Sequence, residues 1–378
     1  MADFFDYLYW RGDLTFEKIP FGKIDALLLS HLSYCLFDGV VPDSFKKRKT
    51  LAQVCKDFSA LPDYEQRINI GFLINKRTME LLFKCAETER FRNIELCGFR
   101  SIYNEENVEQ FAAVTYLIDG KPVVALRGTD DTIVGWKEDF NIAWLPQIPA
   151  QKDALEYFSE AAGALKGDIV LVGHSKGGNL VINTAVKCGK DLQKRISEVY
   201  NFDGPGFDSA FFETSEYKAV ENRIRSFYPA FSVVGMIFHH PKNYEIIKSD
   251  AFAFWQHDAM SWQLMGSEFV NEADFVDESK LFYSAFNEWI DKLDTEKKKR
   301  FVETMFCILE ASGAKTNNEI EKDALKATAR MIAAYADMDR ERRNEMRKIL
   351  NMFKDVIADD IPIFKPLVLL KNNLRIIG

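Results

Sequence analysis

An α/β fold built on a mainly parallel sheet is the expectation for this 378-residue chain, and three observations carry it. Between residues 111 and 228 short apolar runs alternate with amphipathic runs of helical period, the pattern of a sheet covered by helices on both faces. A glycine-flanked serine stands where one strand hands over to a helix. From about Ser267 onward the texture turns helical and densely charged.

Taken in order, residues 24–37 predict an amphipathic helix with Leu27, Leu28, Leu32 and Cys35 on its apolar face. His31 shares that face and is expected to be a core histidine. Runs 111–118 and 122–127 predict two strands, and Asp119-Gly120-Lys121 between them predicts a hairpin. A helix over 150–165 should stop near Gly167, followed by a strand over 168–172 and a helix over 176–187. Two further strands are expected over 196–202 and 223–228. The C-terminal third predicts helices over 278–293, 296–312 (with Thr295 as N-cap), 318–337 and 340–358. With no internal repeat or low-complexity tract, and a length beyond the roughly 250–300 residues of one core, the expected division is threefold. Residues 1–60 form an N-terminal segment packed on the core, 61–266 the core, and 267–378 a helical region without chemical vocabulary of its own.

Lys plus Arg number 49 against 57 Asp plus Glu, a net charge of −8. Such a surface repels phosphate backbones and anionic membranes, so nucleic acid is a poor partner. Residues 1–15 carry Asp3, Asp6 and Asp13 and no basic region ahead of an apolar one, so no secretory signal is expected. Apolar runs such as 231–238 fall short of the ~18–20 residues that span a bilayer, so no integral membrane association is expected. The six cysteines lack any C-x-x-C pair or zinc-like spacing. Free thiols in a reducing cytoplasm are the expectation.

Gly173-His174-Ser175-Lys176-Gly177 fits G-x-S-x-G in its required strand–turn–helix context. A serine at so sharp a turn takes a strained backbone conformation, and its neighbours must be glycine to avoid Cβ clashes. The turn lifts Oγ clear of the sheet. The helix start adds partial positive charge, and the Lys176 amide is placed to receive a tetrahedral oxyanion. Upstream, Arg127-Gly128-Thr129-Asp130 closes the hairpin's second strand, with Trp136 and Asp139 following. Thr129 can offer its N–H and Oγ–H as the second oxyanion donor. Asp130 and Asp131 are expected to be turn aspartates rather than metal ligands.

These two segments resemble the signature pair of the class 3 (fungal-type) lipases within the α/β-hydrolase superfamily. The opening Asp6-Tyr7-Leu8-Tyr9-Trp10-Arg11-Gly12-Asp13-Leu14 and the stretch from Gln256-His257-Asp258 to Ser261-Trp262 resemble an uncharacterised bacterial lipase-like family of unknown function. The lipase similarity covers about residues 100–265. It implies an α/β-hydrolase core and Ser175 as nucleophile.

An activated serine needs a base, usually a histidine later in the chain. Of five histidines, His31 precedes Ser175 and His174 lies inside the turn, its side chain directed away from Oγ. The lipase pattern, with its base on a late loop before an aromatic residue, points to His257 ahead of Trp262, with His240 as the alternative. The same pattern puts an aspartate just after the strand over 223–228, where this chain has Pro229-Ala230-Phe231-Ser232. Asp203, directly after the preceding strand, is the preferred acid; Ser232, Asp250 and Asp258 stay open. Lys176 also departs from the pattern, which has an apolar residue there. Its ammonium is expected to make the turn's surface less greasy and to favour a soluble ester or thioester over fat. Phe252, Phe254, Trp255 and Trp262 are expected mainly in core packing, and less so along an acyl pocket.

The resulting expectation is a serine hydrolase of a small-molecule acyl ester, with Ser175, His257 and Asp203 as its triad, oxyanion donors Thr129 and Lys176, and no cofactor or metal. The alternative is a catalytically silent binding or scaffold protein of the same fold, for which the missing acid argues.

Overall fold

The computed structural model describes residues 2–71 and 74–352. Its centre is an eight-stranded sheet whose strands lie side by side in chain order: β1 (Lys49–Thr50), β2 (Glu95–Asn104), β3 (Glu109–Ile118), β4 (Lys121–Leu126), β5 (Ile169–His174), β6 (Ile196–Phe202), β7 (Ile224–Pro229) and β8 (Tyr244–Ile247). β1 to β4 pair antiparallel, and β4 to β8 pair parallel. The architecture is a mixed, mostly parallel sheet flanked by helices, an α/β-hydrolase-like fold, with a helical C-terminal region. The hairpin forms as expected: Asp119 (φ 48°) and Gly120 (φ 79°) make a two-residue turn between the paired Ile118 and Lys121.

The helices used below are α1 (Phe4–Arg11), α2 (Lys23–Leu32), α3 (Leu51–Ser59), α4 (Thr78–Glu87), α5 (Ile133–Asn141), α6 (Pro149–Ala164), α7 (Lys176–Lys187), α8 (Asp277–Asp291), α9 (Thr295–Ala311), α10 (Asn317–Lys322), α11 (Ala324–Asp337) and α12 (Arg340–Met352). Side chains alternate across each strand, so Val123 and Ala125 of β4 pack with α1–α4 while Val124 and Leu126 pack with α6 and α7. A third apolar cluster is distinct from these two and reaches the sheet at Tyr228 of β7 and Ile246 of β8. It joins Ile133 of α5, Val233 and Met236 of the β7–β8 connection, Phe282 and Phe286 of α8, Phe301 and Phe306 of α9, and Met331 of α11.

Several elements depart from the sequence expectation. α2 stops at Leu32 rather than 37, where Ser30 and Ser33 turn their hydroxyls back onto the carbonyls of Leu27 (2.8 Å) and Ser30 (2.6 Å). Asp294, not Thr295, caps α9, accepting from the Lys297 amide at 2.9 Å. The helix expected over 318–337 is divided at Asp323, whose backbone (φ −129°, ψ 47°) is not helical. Residues 353–358 of the last expected helix lie outside the described residues. β2 was not expected, because a bulge between Cys97 and Arg100 breaks its two-residue period. β8 spans four residues, too few to carry a pattern.

His31 is buried as expected, its Nε2 2.8 Å from Thr78 Oγ1. The cysteines are free: Cys35, Cys55, Cys85 and Cys97 are buried, Cys188 half-buried and Cys307 exposed. Among the described residues, no helix is long and apolar enough to cross a membrane.

Candidate active site

Ser175 occupies the joint between β5 and α7 with φ 58° and ψ −133°, a region that L-residues avoid and that persists only where the surroundings enforce it. The enforcement is visible. Its N–H donates to Phe202 O at 2.9 Å, and its carbonyl accepts from the Gly178 amide at 2.8 Å. A Cβ on Gly173 would lie 2.1 Å from Gly177 O, so the turn closes only with glycine there.

Parallel pairing sets His174 beside Phe202, so Ser175 and Asp203 emerge from neighbouring strand ends. Asp203 is itself strained (φ 50°) and fully buried. Its Oδ2 stands 2.6 Å from His257 Nδ1, and its Oδ1 accepts from Ser232 Oγ at 2.5 Å. A carboxylate acceptor requires that Nδ1 carry the proton, which leaves the His257 Nε2 lone pair free. Ser232, which occupies the position where an aspartate was sought, thus orients the carboxylate of Asp203. Asp258 is engaged by Asn75 (2.6 Å) and the Met260 amide (3.0 Å), and Asp250 by Gln263 (2.6 Å).

His174 fixes the other side of His257. Its Nε2 lies 2.8 Å from His257 O, which can only accept, so Nε2 carries the proton and Nδ1 accepts from Tyr34 Oη at 3.1 Å. That tautomer requires a neutral ring. Burial, reinforced by His257 and His31, drives its pKa well below the ordinary histidine value. The His174 and His257 ring centroids are 4.7 Å apart. Ser175 Oγ makes no hydrogen bond to the His257 ring among the described residues, a gap commonly closed on substrate binding. His240 is not at this site: with His239 it lies among Tyr228, Tyr244, Phe275 and Tyr283.

The loop carrying Thr129 runs directly against the serine. A Cβ on Gly128 would meet His174 O at 2.6 Å and Ser175 Cβ at 3.0 Å, so only glycine permits the approach. Thr129 Oγ1 donates to Asp139 Oδ2 in a very short bond. Its hydroxyl proton is therefore committed, and its amide is the remaining donor. Lys176 opens α7, where an amide has no intrahelical acceptor. Neither amide has a hydrogen-bond partner among the described residues.

The Lys176 side chain corrects the sequence expectation. Its ammonium does not wet the surface; it is buried beneath the Thr129 loop, 2.7 Å from both Gln110 O and Gln110 Oε1 and 2.8 Å from Glu138 Oε2. Glu138, equally buried, also accepts from the Gln110 and Ala150 amides at 3.1 and 2.8 Å. Asp139 Oδ1 stands 3.8 Å from the ammonium and has no hydrogen bond. Burial, opposed by Lys176 and the Thr129 hydroxyl, pushes the Asp139 carboxyl up to about 7. Sequence reasoning missed Glu138 and Gln110. No local signal marked them, because a lysine at a helix start does not show whether its ammonium meets water or a buried carboxylate.

An apolar cavity opens from Ser175, with Trp136 and Phe140 of α5, Val233 and Phe254 on intervening loops, and Phe286 and Phe301 of α8 and α9 in its walls. The C-terminal helices, expected to be without chemical vocabulary, thus shape the space beside the serine. As it stands the cavity holds about 60 Å³. Of the aromatics considered from sequence, Phe254 lines it and lies 5.9 Å from the His257 ring. Trp262 is buried and donates to Gln256 O at 2.8 Å, while Phe252 is largely exposed.

Among solved structures, this chain is similar to M37 lipase (16% identity over 57% of this chain and 70% of that one, TM-score 0.36). It is also similar to the Rhizomucor miehei lipase propeptide complex (15% identity, 60% and 67% coverage, TM-score 0.32). No curated protein matches it. The Mbeg1-like family model matches residues 85–307, more than half of the sequence, and the chain belongs to the Mbeg1-like family.

Proposed function

We propose that this protein is a serine hydrolase that cleaves a carboxylic ester through an acyl-enzyme on Ser175. The carrying observation is the 2.6 Å contact between Asp203 Oδ2 and His257 Nδ1, on the rim where the strained Ser175 stands. In this reading His257 Nε2 takes the Ser175 proton as Oγ bonds to the substrate carbonyl carbon. The oxygen, now negative, is held by the Thr129 and Lys176 amides. His257 then returns the proton to the departing alcohol as the C–O bond breaks. Water, deprotonated by the same ring, attacks the acyl-serine and releases the carboxylic acid. Asp203 keeps the imidazole in its tautomer and stabilises its charged form. The apolar cavity supports an acyl group as the part of the substrate lodged beside Ser175.

The scaffold reading drew its support from the absence of an aspartate after β7. A carboxylate that reaches His257 from β6 instead takes that support away. The test is turnover of p-nitrophenyl butyrate by the full chain and by Ser175→Ala. Activity in the parent and its loss in the variant are expected; a parent that leaves this ester and other short esters intact contradicts the proposal.

A further inference from the structure

The Lys176 side chain is not used in the reaction sequence above, although it holds a fully buried ion pair directly under the candidate oxyanion site. This inference rests on the hydrolase reading. We propose that the Lys176 ammonium is a positioning residue for the oxyanion site, acting through Asp139 to hold the Thr129 loop against Ser175.

The arrangement leads from the ammonium to the amide in three contacts. Three hydrogen bonds, two to Gln110 and one to Glu138, saturate the Lys176 N–H groups and fix the ammonium in place. That fixed charge stands 3.8 Å from Asp139 Oδ1, which has no hydrogen bond of its own. The second oxygen of Asp139 accepts the Thr129 hydroxyl, anchoring the residue whose amide faces the reaction. Glu138 and Asp139 are consecutive, and Asp130 also bears on Asp139. Without a cation beside it, the largely buried Asp139 carboxyl favours its protonated form. Protonated Asp139 reverses its bond to Thr129, becoming the donor, and frees the Thr129 hydroxyl to rotate. Carboxylates left charged beneath the site would instead oppose the negative oxygen above it. Lys176 opposes both outcomes: its charge draws down an Asp139 carboxyl that burial pushes up. A merely structural pair needs only Lys176 and Glu138; nothing in that role involves Asp139.

That difference defines the experiment. Lys176→Met alone strands the buried Glu138 charge, so the informative variant is Lys176→Met/Glu138→Gln, which removes both charges while keeping the Lys176 amide. Turnover of p-nitrophenyl butyrate is measured per active site titrated with a fluorophosphonate, with melting temperature alongside. The double variant is expected to recover melting temperature relative to Lys176→Met yet to lose ~10- to 100-fold in kcat with little change in KM, short of the ~10²–10³ for a whole donor. In an Asp139→Asn background, where position 139 accepts from Thr129 without a charge, the same pair of changes is expected to cost no further kcat. Parent-level kcat in the double variant, or an equal loss in the Asp139→Asn background, overturns this inference while leaving the hydrolase reading intact. A parent chain that neither turns over the ester nor takes the probe on Ser175 overturns both.

Discussion

Two ion pairs among the described residues are buried on both sides, Arg90–Asp25 and Lys176–Glu138, and they are built differently. Arg90 and Asp25 lie behind the sheet, where α1 and α2 meet the segment after α4. All five guanidinium N–H groups are used, on Asp25 and on the carbonyls of Leu14, Ile19 and Pro20. Asp25 takes in addition the Tyr7 hydroxyl at 2.7 Å and the Gly22 amide at 3.0 Å. Lys176 and Glu138 lie at the strand ends, beside a cavity, with an unpartnered Asp139 oxygen and an orphaned Gln110 Nε2 next to them. A fully satisfied pair that takes no part in the walls of the cavity beside Ser175 is architectural. One that borders strained residues and unsatisfied atoms belongs to a site, since proteins tolerate such defects where the chemistry needs them.

The contrast can be broken from either side. The largest effect is expected at the site: Asp203→Asn should lower kcat by ~10³–10⁴-fold with melting temperature nearly kept, because the imidazole loses its imposed tautomer. Ser232→Ala should cost less than ~10-fold in the same assay, as one hydrogen bond to the carboxylate is lost. The reverse ranking would move the acid role to Ser232. On the scaffold side, Arg90→Met strands Asp25 and should cost about 3–5 kcal/mol in denaturant unfolding. Its kcat per titrated site should match the parent; a fall in kcat would erase the distinction between the two pairs.

Smaller effects sharpen it. Phe286→Leu enlarges the cavity on its α8 wall and should shift kcat/KM by ~10-fold toward p-nitrophenyl octanoate over butyrate, within the 1–3 kcal/mol that a pocket gains per methylene. An unchanged ratio would remove the acyl group from that cavity. The smallest is a pH effect away from both pairs. Burial, with His239 beside it, lowers His240 from 6.5 to about 4. Between those values the unfolded chain binds the proton and the folded one does not, so stability falls as pH drops through that window. His240→Gln should flatten the decline in melting temperature from pH 6.5 to 4 by a few degrees; an identical slope would show that the ring does not contribute.

The same contrast explains what could be read from the sequence. The turn at Ser175 was legible because its constraint is local: strand, glycine, serine, glycine and helix follow one another, and Gly173 cannot bear a Cβ. The sheet from β3 to β7 was legible for the same reason, as short apolar runs bounded by turns and helix-period stretches. Asp203 was legible only as a choice among four, since its partner lies 54 positions away and is reached across a strand end. The direction of the Lys176 side chain was misread, because a lysine's position in sequence does not reveal whether it snorkels outward or meets a buried carboxylate. Nor could the cavity walls be foreseen: Phe286 and Phe301 lie more than a hundred residues beyond Ser175 and arrive there only by packing.

The account stands most directly on whether Ser175 becomes acylated. Rapid acid quenching of the full chain with p-nitrophenyl butyrate, followed by peptide mass analysis, should show one butyryl group on the peptide containing Ser175. Asp203→Asn should slow its appearance, and Ser175→Ala should abolish it. Butyryl found only on other residues, or ester turnover that persists unchanged in Ser175→Ala, would contradict it.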